Sequence, residues 1–149
     1  MLVSPIIKQV PPQYIGGKTL FCDASGRFYN ARGKELKPNF SPAMRIPGRK
    51  CHNGQRGNIY PMMRQYGARL CHTLVALTWI GPRPHGYECD HLNGNILDYR
   101  ASNLEWVTPA ENRKRARLLR VLRAIGRDPK QMSREDLLNI FNHYTFVKH

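Results

Sequence analysis

Acidic residues are scarce in this chain. Ten Asp and Glu stand against 24 Lys and Arg over 149 residues, a formal net charge of +14. Between Leu36 and Tyr87 there is no acidic residue, yet Lys37, Arg45, Arg49, Lys50, Arg56, Arg64, Arg69 and Arg83 all fall there. A field of one sign this strong argues against a role built on an acidic surface and points to a polyanionic partner, nucleic acid first. Long hydrophobic runs are also lacking, so neither a membrane span nor a dominant basic amphipathic helix is expected. Residues 1–10 do not combine a charged start with the apolar run of a signal peptide, and the expectation is a cytoplasmic protein without membrane contact. Cysteine is sparse as well: Cys22, Cys51, Cys71 and Cys89 form no C-x-x-C pair. That spacing argues against a disulfide framework or a standard zinc knuckle, even though Cys51-His52 and Cys71-His72 repeat a dipeptide.

What is present divides into stretches of different texture, and the length suits one domain with appendages. Pro5, Pro11, Pro12 and the Gly16-Gly17 pair predict an irregular N-terminal arm over 1–18. Residues 19–71 read as β-rich: a strand from Thr19 to Cys22, a turn from Asp23 to Gly26, a strand from Arg27 to Tyr29 and a second turn at Arg32-Gly33. A Pro- and Gly-rich loop over 38–58 follows, then a short strand ending at Met63 and a hairpin closing through Gly67. Leu74, Val75, Leu77, Trp79 and Ile80 predict a short helix with a largely buried face, stopped by Gly81-Pro82. His72, at its start, is open to contact with DNA or the active site and equally to a structural hydrogen bond, and it stays outside the catalytic set.

From Pro84 the chain turns into a strand that ends at Asp90-His91. A loop with Asn93-Gly94 as its turn leads to a returning strand from Leu104 to Val107. Thr108, Pro109 and Glu111 then spell a helix start, with Thr as N-cap, Pro at the first position and Glu completing a capping box. Leu118, Val121, Leu122 and Ile125 fall on one face of that helix and Arg113, Arg117, Arg120 and Arg123 roughly opposite, with Gly126 as its stop. Ser133 caps a last helix through Leu137, Leu138, Ile140 and Phe141.

A β, β, α order therefore surrounds Asp90, His91, Asn103 and Asn112. Such a hairpin packed on a helix can bring Asp90 near Asn112 with His91 beside them. Two oxygen donors on one side leave most of a cation's coordination sphere open to water and phosphate, as magnesium-dependent phosphoryl transfer requires.

The run from His72 to Ala76, Asp90-His91 with Asn93-Gly94-Asn95, the run from Asn103 to Thr108, and Glu111-Asn112 together resemble the HNH endonucleases of phages and mobile introns, over about 72–116. The resemblance implies an α+β fold: a ββα-metal core over 72–125, a β-rich DNA-contacting region over 19–71 and a C-terminal helical appendage over 126–149. It implies Asp90 and Asn112 as metal ligands, His91 as general base and Asn103 as the residue fixing the loop that carries the base. One divalent cation, Mg²⁺ or Mn²⁺, suits those oxygen donors. The expected partner is double-stranded DNA, contacted by Arg113, Arg117, Arg120, Arg45, Arg49 and Arg64, and the expected products carry 5′-phosphate and 3′-hydroxyl ends. Two departures stand out: Asn93 where relatives commonly carry Asp, and Asp98-Tyr99 where they often carry Asn-Asn. The alternative from another class is a non-catalytic DNA-binding protein that keeps the HNH fold.

Overall fold

The computed structural model describes residues 5–40 and 60–144, and within them the chain is α+β. Ile7–Gln9 (β1), Phe21–Asp23 (β2), Phe28–Tyr29 (β3) and Glu35–Leu36 (β4) form an antiparallel sheet in sequence order. The irregular arm expected over 1–18 is corrected by this sheet, because β1 pairs with β2 in the register Ile7↔Asp23 to Gln9↔Phe21. Proline misled here by flanking the strand rather than interrupting it. Pro12–Tyr14 is a 3-10 turn, and Gly16 and Gly17 take positive φ of 65° and 74° to bring the chain back. Val10, Ile15 and Leu20, at 0%, 2% and 0% exposure, anchor the returning segment.

Asn39–Phe40 (β5), Pro61–Met63 (β6) and Arg69–Leu70 (β7) form a second antiparallel sheet. β5 lies where only loop was expected. β6 and β7 are joined by a 3-10 turn at Arg64–Tyr66 that ends on Gly67, at φ 82°. Cys71–Trp79 (α1) follows directly, then Glu88–His91 (β8) and Leu104–Val107 (β9), a two-stranded hairpin, and Pro109–Ala124 (α2) and Arg134–His143 (α3).

α1 is the hub. Its Cys71, Leu74, Val75 and Ala76 are fully buried, and it packs on β1, β2, β6, β7, β8 and β9. One core cluster therefore runs from Val10 through Phe28 and Met63 to Leu104, joining the N-terminal sheets to the hairpin. A second cluster joins Leu92, Leu118, Leu119 and Leu122 to Leu137 and Phe141, seating α3 on α2 and on the loop after β8. Burying side chains of this size stabilises by about 1.5–3 kcal/mol each. Trp106 packs against the first cluster and donates from Nε1 to the Gly81 carbonyl at 3.0 Å, while Lys8 lies 4.4 Å above the Trp79 ring.

α2 buries a different face from the one its apolar residues suggest. Arg115, Leu118, Leu119 and Leu122 point inward, whereas Val121 and Ile125 are 48% and 66% exposed. The buried set keeps the i, i+3, i+4, i+7 spacing of a helix face but begins with a cation. Thr108 Oγ1 accepts from the Glu111 amide at 3.2 Å, as an N-cap should. The reciprocal half of the capping box is replaced, since the Glu111 carboxylate turns to Arg115 Nε at 3.1 Å and Lys114 Nζ at 3.7 Å. Ser133 caps α3 through the Asp136 amide, also as expected.

Candidate active site

Successive side chains of a strand face opposite sides, and β8 uses both. Glu88 and Asp90 face α2: Asn112 Nδ2 donates to Glu88 Oε2 at 2.7 Å, and Arg115 Nη1 donates to Asp90 Oδ2 at 3.2 Å. Cys89 and His91 face α1: Cys89 Sγ lies 4.0 Å from the His72 carbonyl, and the His91 ring meets the His72 ring edge-on at 4.7 Å between centroids. Four residues of strand thus address a carboxylate–amide–guanidinium cluster on one side and an imidazole pair on the other.

On the α2 side the electrostatics centre on Arg115. Asp90 pairs with Glu105 across the hairpin, and like charges placed directly opposite repel. Arg115 Nη1 bridges them, reaching Glu105 Oε2 at 2.7 Å as well as Asp90, while its Nε reaches Glu111. Its guanidinium also sits 4.8 Å from the Phe141 ring centroid, so α3 closes the far side. Burial raises the Asp90 pKa, opposed by the hydrogen bond and charge of Arg115; the net shift is upward. Burial also works against the charge on Arg115, but Glu105, Glu111 and Asp90 outweigh it and hold the guanidinium charged.

On the α1 side, burial pushes His91 down to about 4, with the Asp98 charge a smaller opposing influence. It pushes His72 down to about 3, helped by His91. Both rings are therefore neutral at neutral pH. Among the described residues, His72 Nδ1 is buried without a hydrogen-bond partner, as is His91 Nε2. Tyr60 stands over the pair, 5.4 Å from the His72 ring and 6.5 Å from His91.

The loop between β8 and β9 is held by Asn103, which ends a 3-10 turn at Ala101–Asn103 and is 6% exposed. Its Oδ1 accepts from the Asn93 amide at 3.1 Å, and its Nδ2 donates to Asn93 Oδ1 at 3.0 Å and to the Asp98 carbonyl at 2.8 Å. Gly94 turns the chain with φ 71°, its amide bonded to the His91 carbonyl at 2.8 Å. A Cβ there would lie 2.8 Å from Arg123 Nη2 and 3.0 Å from Leu119 Cδ1, both side-chain ends that can shift, so it is the positive φ that favours glycine.

The structure brings Asp90, His91, Asn103 and Asn112 into one ββα unit. Arg113, Arg117 and Arg120 lie on the exposed side of α2, and Arg64 is exposed in the turn after β6. Arg45 and Arg49 lie outside the described residues. Glu88, Glu105, Arg115 and Tyr60 escaped the sequence reading. The nearest signal for Arg115 was its place three residues after Asn112 and four after Glu111, which puts all three on adjoining parts of one helix face.

The donor chemistry fits a hard divalent cation. A carboxylate only accepts, so the Asn112 amide must present its NH₂ group to Glu88, leaving its Oδ1 free to serve as a ligand. Arg115 engages Oδ2 of Asp90 and leaves Oδ1 to another partner. Oxygen donors of this kind suit Mg²⁺ or Mn²⁺. Among the described residues no group of three or more His, Cys, Asp or Glu is arranged to hold an ion. None of their helices is long and apolar enough to cross a membrane.

Residues 69–114, from the last residues before α1 to the first turns of α2, match the family described as HNH endonuclease. An uncharacterized HNH endonuclease of Acanthamoeba polyphaga mimivirus is 51% identical over 43 residues, covering 28% of this chain and 11% of that protein. The chain thus matches only about a tenth of that relative's length. The HNH homing endonuclease I-HmuI, solved in a study of DNA binding and cleavage, aligns with TM-score 0.49 and 23% identity, over 70% of this chain and 57% of that one.

Proposed function

We propose that the protein is a metal-dependent DNA endonuclease that hydrolyses a phosphodiester bond to leave 5′-phosphate and 3′-hydroxyl ends. The observation that carries this reading is the convergence of the end of β8, bearing Asp90 and His91, with the first turn of α2, bearing Asn112, inside the segment that matches HNH endonucleases.

Asp90 and Asn112 would hold the cation. When bound, it supplies Lewis-acid stabilisation of the charge that develops on the phosphate and the departing oxygen. His91, neutral because it is buried, takes a proton from the attacking water. The water oxygen bonds to phosphorus, the bond to the 3′ oxygen breaks, and that oxygen leaves and is protonated from solvent. Asn103 acts through the loop: by tying Asn93 and Asp98 together it sets where the strand end carrying His91 stops. Arg113, Arg117, Arg120 and Arg64 line exposed surface and contact backbone phosphates of duplex DNA, with Arg45 and Arg49 in the same role. The net charge of +14 makes these contacts a large share of affinity.

The test is a supercoiled-plasmid nicking assay with Mg²⁺, Mn²⁺ or chelator, with end-labelling of the products. Cation-dependent nicking that falls about 10²–10⁴-fold in His91→Ala, with DNA affinity retained, is the expected result. DNA binding without nicking under any cation would instead select the non-catalytic DNA-binding alternative.

A further inference from the structure

We propose that His72 is a positioning residue for His91: the Nε2–H of His91 donates to Nδ1 of His72, which fixes the tautomer that leaves His91 Nδ1 free to accept a proton. The inference rests on the reading of His91 as general base and adds to it the group that orients the base.

Two buried, unpartnered nitrogens belong to neighbouring rings. His72 Nδ1 and His91 Nε2 are both fully enclosed without a hydrogen-bond partner, and the residues that carry them are each 7% exposed. Their rings meet at 4.7 Å between centroids and 66° between planes, an edge-on approach. Buried polar atoms in folded proteins are almost always paired, so two such orphans on touching rings mark an unmade bond between them. The χ2 torsion of histidine is soft, so rings this close can turn toward one another to make that bond. α1 places His72 in its first turn beside the end of β8, and Tyr60 stands against both rings.

The direction of the bond follows from the ring chemistry. In a neutral imidazole one nitrogen is a donor and the other an acceptor, and the hydrogen bond made by one decides the state of the other. His91 turns Nε2 into the protein, so Nδ1 is the nitrogen left to meet a water. Nδ1 can accept a proton only if the hydrogen sits on Nε2, and His72 Nδ1 must then be the acceptor. The opposite arrangement would place the hydrogen on His91 Nδ1 and block it.

The tautomers are read directly by long-range ¹H–¹⁵N correlation on the full chain labelled at histidine nitrogen, without metal or DNA. The expected spectrum shows His91 as the Nε2–H form, and His72→Phe, which keeps a ring but removes the acceptor, converts it to a mixture. In steady-state cleavage His72→Phe should lower kcat at least tenfold with KM changed less than twofold. His72→Asn, whose Oδ1 stands close to the position of Nδ1, should recover most of the loss. A wild-type spectrum with His91 as the Nδ1–H form overturns the proposal, as does a kcat in His72→Phe within twofold of wild type. If the wild-type protein fails to cleave DNA, the nuclease reading falls, while the spectrum still decides whether His72 sets the His91 tautomer. Should His72→Phe fail to fold, the wild-type spectrum and His72→Asn carry the same decision.

Discussion

Replacing Arg115 with Met should destabilise the fold by about 3 kcal/mol, through a charge imbalance rather than a cavity. Met keeps most of the volume and the apolar contact with Phe141 while removing the guanidinium that bridges Asp90, Glu105 and Glu111. Breaking a buried pair by deleting one partner costs about 3–5 kcal/mol because the other charge is left uncompensated. The three carboxylates do not share that cost evenly. The side chains of Glu105 and Glu111 are 35% and 30% exposed, so water screens them, whereas that of Asp90 is 10% exposed and bears most of the loss. This places the expectation at the low end of the range. At roughly 2–4 °C per kcal/mol for a chain of this size, the melting temperature should fall by about 10 °C at pH 7. The pH dependence identifies the cause. Without Arg115 the Asp90 pKa, already raised by burial, rises further. A carboxyl whose folded pKa lies above its unfolded value destabilises above that range and ceases to do so as it protonates, so the deficit should shrink as pH falls toward 4. Asp90→Asn in the Arg115→Met background should likewise recover stability, as a coupled pair requires. Differential scanning calorimetry of the four proteins provides the measurement. A melting temperature within 2 °C of wild type in Arg115→Met, or a deficit that does not change with pH, would refute the argument.

Other expectations follow from single contacts. Thr108→Ala removes the cap on the Glu111 amide and should cost about 1 kcal/mol, seen as a fall of a few degrees in melting temperature; an unchanged value would mean the cap contributes nothing. The chain should lose stability in mild acid, because His72 and His91 have folded pKa values of about 3 and 4 and charge only in the unfolded chain as pH drops below about 6.5. Each adds up to about 1.4 kcal/mol per pH unit, partly offset by Asp90, whose shift acts in the opposite sense, and a flat profile from pH 7 to 5 would contradict neutral burial of the pair. DNA affinity should fall steeply with salt, and Arg113→Ala with Arg120→Ala should reduce the logarithmic slope by about 1.8, two phosphate contacts' worth. An unchanged slope in fluorescence anisotropy titrations would leave these two arginines facing solvent.

The parts legible in the sequence were those set by local chemistry. Thr108 and Pro109 announce the start of α2 because capping and proline stereochemistry act within one turn. Gly81-Pro82 marks the end of α1, and Asn93-Gly94 the turn after β8. The parts that escaped depend on distant partners. β5 has two residues, too few for an alternation to be read, in a stretch whose proline and glycine content suggests only loop. β1 pairs with a strand beyond two prolines and two glycines that suggest no structure at all. The buried face of α2 was misread because Arg115 looks like surface until Asp90 and Glu105 arrive from the hairpin to neutralise it. His72 and His91 are 19 residues apart on different elements, and nothing in that spacing says their rings touch.

Asn93 and Asp98, the loop positions that stand apart in the resemblance, bond each other in the folded loop. Asn93 donates from Nδ2 to Asp98 Oδ2 at 3.0 Å, so the amide and the carboxylate satisfy each other across the loop. Asn93 keeps its Oδ1 for Asn103 Nδ2 and for the Asn95 amide, the bonds a carboxylate there could also accept. Asp98 gains Arg100 in addition, at 2.7 and 2.8 Å, whose hydrogen bonds hold its carboxyl below the usual carboxylate range. Tyr99 leaves this network altogether and packs into the first core cluster against Gly26, where a Cβ would come within 2.7 Å of its ring. The adjacent Ala101 amide bonds the Ala24 carbonyl at 2.8 Å, so the loop is also tied to the turn between β2 and β3. Each change that looks like an erosion of the loop in isolation is matched by a partner elsewhere in the fold. The end of β8 that presents Asp90 and His91 is thereby braced from the N-terminal sheet as well as from its own hairpin.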